Sequence, residues 1–195
     1  MERAALELSG EVGFARMTVA ALVERSGSNF DRFYRTYGDK ARCYSAAYAA
    51  GMEELAAGAL RACAHEAQWA DGLRVALVWL AELAAAEPVV VRGLLGEAGA
   101  ADRQTKQKRE EVFERLSRAI DRARRETDES RHSPPPLTAR FILWGIETSL
   151  LRLLDRPAAG QDPAAWLAGA IYLGVDLYLG GAAARKQVRL LGGAR

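Results

Sequence analysis

Few side chains in this chain are of the kinds that make or break covalent bonds. Its 195 residues include two His and two Cys. His65 and His132 have no Ser, Cys or carboxylate partner at a catalytic spacing, so both read as surface imidazoles. Cys43 and Cys63 lack the paired spacing of a zinc site, and on one straight helix they would sit about five and a half turns apart, too far to bridge. Cys43 reads as a small buried thiol, with redox sensing as the sharper alternative. Gly93, Gly96 and Gly99 lack the Lys-Ser or Lys-Thr of a phosphate loop. These residues predict no enzyme, no metal and no cofactor.

The remaining chemistry is recognition. Trp79, Phe113, Trp144 and Trp166 fall on apolar faces of separate segments, with Glu82 and Glu147 within or beside those faces. Aromatics converging with a few polar groups can form a small-molecule pocket, and the same residues also suit an ordinary core. Trp79, Phe113, Trp144 and Glu147 are the candidate pocket residues. Near the other end, six basic residues stand against three acidic ones between Arg16 and Arg42, a local surplus in a chain whose net charge is only +2. That balance excludes wholesale coating of nucleic acid but leaves room for a local basic patch.

The elements that must position these groups read as helices. Half of the residues are hydrophobic, enough for a real core. Ala, Leu, Glu and Arg dominate, and no stretch alternates with period two, so the fold class is all-α. The longest late apolar stretch, Pro163 to Val175, stops at Asp176 and is too short to span a membrane. Met1-Glu2-Arg3-Ala4 does not open a signal peptide, and a reducing cytoplasmic interior is expected. Breaks at residues 10–13, 27–29 and 38–39 permit three short helices, whereas the segments after residue 39 are long. This predicts a three-helix N-terminal domain at 1–40, joined by a long fourth helix to a larger helical domain at 41–195.

Two of the long segments are apolar nearly all round, at 141–154 and within 164–184. Such helices need cover on two sides. Small residues within them allow close approach, so a homodimer with a four-helix interface is expected, the alternative being two core helices of a monomer. The segment 102–125 differs, with one apolar stripe and a charged face carrying Glu111 and Arg115, Glu114 and Arg118, and Asp121 and Arg125 at i, i+4.

Thr18 to Ser26 reads as a helix capped by Thr18, Gly27 stops it, and a second short helix runs to Tyr34 from a cap at Ser28 or Asn29. This is a helix-turn-helix pattern. The run Val12-Gly13-Phe14, Met17-Thr18-Val19, Leu22-Val23, Ser26-Gly27 and Phe33-Tyr34-Arg35-Thr36-Tyr37-Gly38-Asp39-Lys40, followed by a long helix, resembles the TetR family of bacterial transcriptional regulators. The resemblance covers about the first quarter of the chain. The end at Tyr178-Leu179-Gly180-Gly181-Ala182-Ala183 looks like the close of many members' last helix.

The resemblance implies a two-fold dimer whose third helix enters the major groove of a double-stranded DNA operator. It also implies that the larger domain takes a small-molecule effector, whose binding makes a repressor release DNA. Thr18, Tyr34 and Lys40 match positions that commonly touch phosphates, and Asn29, Phe30 and Arg32 would face bases or flanking phosphates, with Arg35 beside them. Two departures stand out. Asp31 replaces a Gly that lets the backbone approach DNA, and Thr36 replaces the usual His. With no basic arm ahead of the first helix, the alternatives are a late start, one unit of a tandem regulator, or a dimeric module without direct DNA binding.

Overall fold

The computed structural model of the chain describes residues 1–96, 103–126, 135–155 and 162–192. Gly99, His132 and the break beginning at Pro157 lie outside the described residues. Ten helices are described: α1 (Glu2–Val12), α2 (Val19–Arg25), α3 (Phe30–Thr36), α4 (Lys40–Cys63), α5 (Trp69–Ala86), α6 (Pro88–Leu95), α7 (Arg103–Glu126), α8 (Thr138–Asp155), α9 (Pro163–Leu179) and α10 (Gly181–Gly192). The expected all-α class is what the chain forms, with no strand among the described residues.

Packing groups the chain into two compact units, Met1–Leu55 with Ala84–Val112, and Ala56–Leu83 with Phe113–Arg195. The first contains the three short helices, but they do not pack alone. Helix α6 lies on α1 so closely that a Cβ on Gly10 would run into the Val89 carbonyl, and one on Gly93 into the Leu6 carbonyl. Arg92 Nε donates to Gly10 O at 2.7 Å across this crossing, and Tyr44 Oη of α4 donates to Gly93 O of α6 at 2.8 Å. Tyr44, Tyr48 and Met52 of α4 are fully buried, and Ser45 of α4 shares a buried hydroxyl pair with Thr105 of α7 at 2.9 Å.

Cys43 is also fully buried, and burial pushes its thiol from 9.0 up to about 11. Such a site suits a small core thiol. Tyr37 donates to Glu2 Oε1 at 3.3 Å, and burial with the nearby Glu2 charge pushes its phenol from 10.0 up to about 12. Both groups hold their protons more tightly when folded. Above about pH 9 the unfolded chain therefore loses protons that the folded chain keeps, and stability falls as pH rises through the window from about 9 to 12. Urea midpoints between pH 8 and 10.5 should decline, and Cys43→Ala should flatten part of that decline; level midpoints in the parent would refute the effect.

The second unit is built on a core of Trp69, Leu77, Ile142, Ile171, Val175, Tyr178 and Ala184. Trp69 tilts onto Tyr178 with ring centroids 4.9 Å apart, and Tyr178 Oη donates to Asp121 Oδ1 at 3.2 Å. Buried Gln187 of α10 accepts from Arg74 Nε at 2.9 Å and donates to Asp71 at 3.1 Å, which ties α10 to α5. Trp166 Nε1 donates to Ser149 Oγ at 2.9 Å and joins α9 to α8.

The segment 164–184 is not one helix, and Tyr178 to Ala183 does not close the last one. Gly180 takes φ 81, its N–H closes α9 on Asp176 O at 2.9 Å, and the chain restarts as α10. A left-handed residue cannot continue an α-helix, and Gly adopts that conformation without steric penalty. The charged face expected on α7 is present in part. Arg118 pairs with Glu114 at 3.2 Å, while Glu111 accepts from Gln107 at 3.1 Å.

Candidate nucleic-acid interface

The local sequence explains why α2 and α3 form a tight pair. Thr18 Oγ1 accepts from the Ala21 N–H at 3.2 Å and starts α2, and Gly27 at φ 60 makes the turn that follows it. Of the two possible caps for α3, Asn29 is the one used: its backbone is extended and its Oδ1 accepts from the Arg32 N–H at 2.8 Å. Leu22 and Phe33 are fully buried, and the Phe33 ring meets Tyr34 edge-on at 5.3 Å. Arg25 then clamps α2 to α1, with its two Nη atoms each 2.9 Å from an oxygen of Glu11. This pairing holds the Glu11 carboxyl below its usual range.

Burying Phe33 decides which side of α3 looks outward. The exposed side carries Phe30, Asp31, Arg32, Tyr34 and Arg35, with Phe30 51% and Tyr34 55% exposed. Thr18 is exposed at the start of α2. Its oxygen accepts the capping bond, and a hydroxyl can still donate its proton to a phosphate.

Two of the expected DNA-facing residues make hydrogen bonds within the protein. The ammonium of Lys40 donates to Phe14 O at 3.1 Å, Ala15 O at 3.0 Å and Met17 O at 2.9 Å, and lies 5.0 Å from the centre of the Phe14 ring. Its three protons are matched by three carbonyls of the loop after α1, so it ties that loop to the start of α4. Asn29 uses its amide oxygen as the α3 cap, which fixes the side chain at the start of the helix.

The same accounting applies to the rest of the basic surplus. Arg16 Nε donates to Val12 O at 2.6 Å, Arg25 is held by Glu11, and Arg42 lies 3.8 Å from Asp39. Arg32 and Arg35 are the cations left on α3, and Arg35 pairs with Asp31 at 3.2 Å. From the sequence, Asp31 stood out as a departure at a position where a Gly lets the backbone approach DNA. Its i, i+4 spacing to Arg35 was the available signal for the pair.

The candidate pocket residues belong to the second unit. Phe113 and Glu147 are buried there, whereas Glu82 is exposed. Trp79 is half-buried, with its ring against Gly58 where a Cβ would collide with it. Trp144 is half-buried between the edge-on ring of Phe141 at 5.6 Å and the Arg140 guanidinium at 5.2 Å. Among the described residues no group of three or more His, Cys, Asp or Glu could hold a metal ion. No described helix is long and apolar enough to cross a membrane.

No protein-family model and no curated protein matches the sequence. Solved structures match in shape over nearly the whole chain. The fatty acid degradation regulator FadR from Bacillus halodurans superposes with a TM-score of 0.75 at 12% identity, over 89% of this chain and 95% of that one. PfmR, a TetR family transcriptional regulator from Thermus thermophilus, gives 0.66 at 19%, over 90% and 96%. TylP, a TetR regulator from Streptomyces fradiae, gives 0.68 at 16%, over 98% and 93%. The chain has the TetR regulator fold. The likeness read from the first quarter of the sequence therefore extends, as architecture, through the later helices. At these identities the TetR fold leaves the side chains of α3 this protein's own.

Proposed function

We propose that the chain is a ligand-responsive, sequence-specific DNA-binding regulator of transcription, acting in the cytoplasm as a homodimer and as a repressor that leaves its operator when a small molecule binds. The observation that carries this reading is the solvent face of α3, where two arginines, a tyrosine and a phenylalanine stand outward on a capped helix-turn-helix. Such a helix suits the major groove, and its flanking hydroxyls and cations suit phosphates. The fold likeness to the TetR regulators PfmR and TylP supports it.

Two further features fit the same reading. Exposed positions on α8 recur at Phe141, Gly145, Thr148 and Arg152, and on α9 at Gly169, Leu173 and Leu177. That is a stripe on each helix at the spacing of a helix-helix seam. We assign these faces of α8 and α9 to the two-fold interface, which would present two copies of α3 to a pseudo-palindromic site. Trp79, Phe113, Trp144 and Glu147 are the proposed effector-facing residues of the second unit.

A gel shift across a salt series, using the DNA upstream of the protein's own coding region, tests direct binding. Retardation should weaken steeply with salt, and Arg32→Ala should reduce both the affinity and the salt slope, the latter by about one unit if Arg32 meets a phosphate. No retardation at any salt concentration, or an Arg32→Ala/Arg35→Ala variant that behaves like the parent, would remove α3 as the interface.

A further inference from the structure

The Asp31–Arg35 pair occupies the centre of the outward face of α3, opposite the buried Phe33. Asp31 Oδ2 lies 3.2 Å from Arg35 Nη1, and the two side chains are 81% and 74% exposed. A pair so exposed contributes little to stability, so it is not needed to hold the helix. Against DNA phosphates the carboxylate is unfavourable, and it cancels the charge of the arginine beside it. Both features disfavour a role on the DNA backbone.

Base edges present different chemistry. In the major groove a carboxylate finds donors on cytosine N4 and adenine N6, and a guanidinium finds a matched pair of acceptors on guanine O6 and N7. One turn of helix between the two side chains places them on neighbouring base pairs. The carboxylate also restrains one end of the guanidinium, which limits the orientations that the arginine must give up on binding. Arg32 remains outside the pair: it is exposed, and no ion pair holds it among the described residues. It is therefore the α3 cation suited to a phosphate.

Resting on the DNA-binding reading above, we propose that Asp31 and Arg35 are a coupled specificity determinant. Arg35 donates to guanine O6 and N7, and Asp31 accepts from a cytosine N4 on the adjoining base pair. Each half-site then contains a G·C-rich step at the centre of its contact with α3. The pair adds selectivity and no net attraction for DNA.

The test selects duplexes from a random 26-base-pair pool with the full-length wild-type protein. Affinities for the selected duplex, and for versions with each G·C pair replaced by A·T, are then measured for wild type, Arg35→Ala, Asp31→Ala and Asp31→Asn. Wild type should lose about five- to a hundred-fold at two adjoining positions of each half-site. Arg35→Ala should reduce the loss at the guanine position to less than about two-fold, and Asp31→Ala should do the same at the neighbouring cytosine. Asp31→Asn should shift that second position toward adenine, which an amide reads. Circular dichroism and melting of the variants should match wild type, because both side chains are exposed. Equal weakening on every duplex, with discrimination retained, would make Arg35 a phosphate contact and overturn the proposal. Enrichment of a site without paired G·C positions would overturn it as well. A wild-type protein that enriches no sequence would overturn the DNA-binding reading and this proposal with it.

Discussion

Replacing Leu173 and Leu177 together by Asp should convert the protein to a monomer at micromolar concentration, with a dimer dissociation constant raised by about a thousand-fold or more. The two leucines are 62% and 52% exposed on α9, one turn apart and in line with Gly169. Phe141 on α8 is likewise 62% exposed. In the proposed interface these side chains lose their water. Two-fold symmetry places four new carboxylates there, each a buried charge without a partner, at several kcal/mol apiece. The variant should keep its helical content, because neither leucine supports the core of its own protomer. It should also lose cooperative binding to a palindromic duplex, since one protomer presents one α3. Sedimentation velocity decides the matter: a double variant that still sediments as a dimer, or a wild type that sediments as a monomer, rules out this face.

The second large effect lies where α1 and α6 touch. Gly93→Ala should lower stability by about 2 to 4 kcal/mol, seen as a fall of about 5 to 15 °C in melting temperature. The added methyl has no flexible neighbour to displace. It would meet the Leu6 carbonyl, Ser9 Oγ and the Gly10 N–H, so the two helix backbones must separate. Separation also stretches the bond that Arg92 makes across the crossing to Gly10 O, at 2.7 Å. Gly192→Ala is the matched control, because a Cβ there meets nothing within 4 Å, and its effect should stay within about 0.5 kcal/mol. Equal melting temperatures for Gly93→Ala and Gly192→Ala would mean that the crossing is looser than described.

Such changes would also reach α2 and α3, the helices of the proposed DNA interface, through their packing. Helix α1 contacts α2 through the Arg25 clamp to Glu11, and α2 shares the buried Leu22 and Phe33 with α3. Loosening α1 from α6 in Gly93→Ala should therefore weaken DNA binding together with stability. The exposed Asp31 and Arg35 variants should change binding alone.

Much of the local architecture was legible in the residues. Thr18 as a cap, Gly27 as a stop, and the all-α character follow from short-range chemistry, in which a hydroxyl meets a nearby N–H and a glycine takes a left-handed turn. The choice between Ser28 and Asn29 as the α3 cap was not legible, since either side chain can cap and the difference is one residue of register. Gly180 was visible as a small residue in an apolar run. That it ends α9 and lets α10 begin depends on a backbone angle that the local pattern left open, since glycine also sits within helices.

By itself, the sequence determined the all-α class, the cap and stop of α2 and the long helices after residue 39, because propensity and capping act over three or four residues. It also carried the helix-turn-helix spacing and the surplus of positive charge near α3. Only the tertiary structure decided which of those charges are tied to other elements. Lys40 turns onto three loop carbonyls and Arg25 onto Glu11, while Arg32 and Arg35 stand outward on α3. Likewise, Gly10 and Gly93 are 83 positions apart in the chain, and no periodicity in either helix announces that their backbones touch. The physical reason is common to both cases: a long side chain or a bare backbone finds its partner by distance in space, and distant segments come together only when the core is packed.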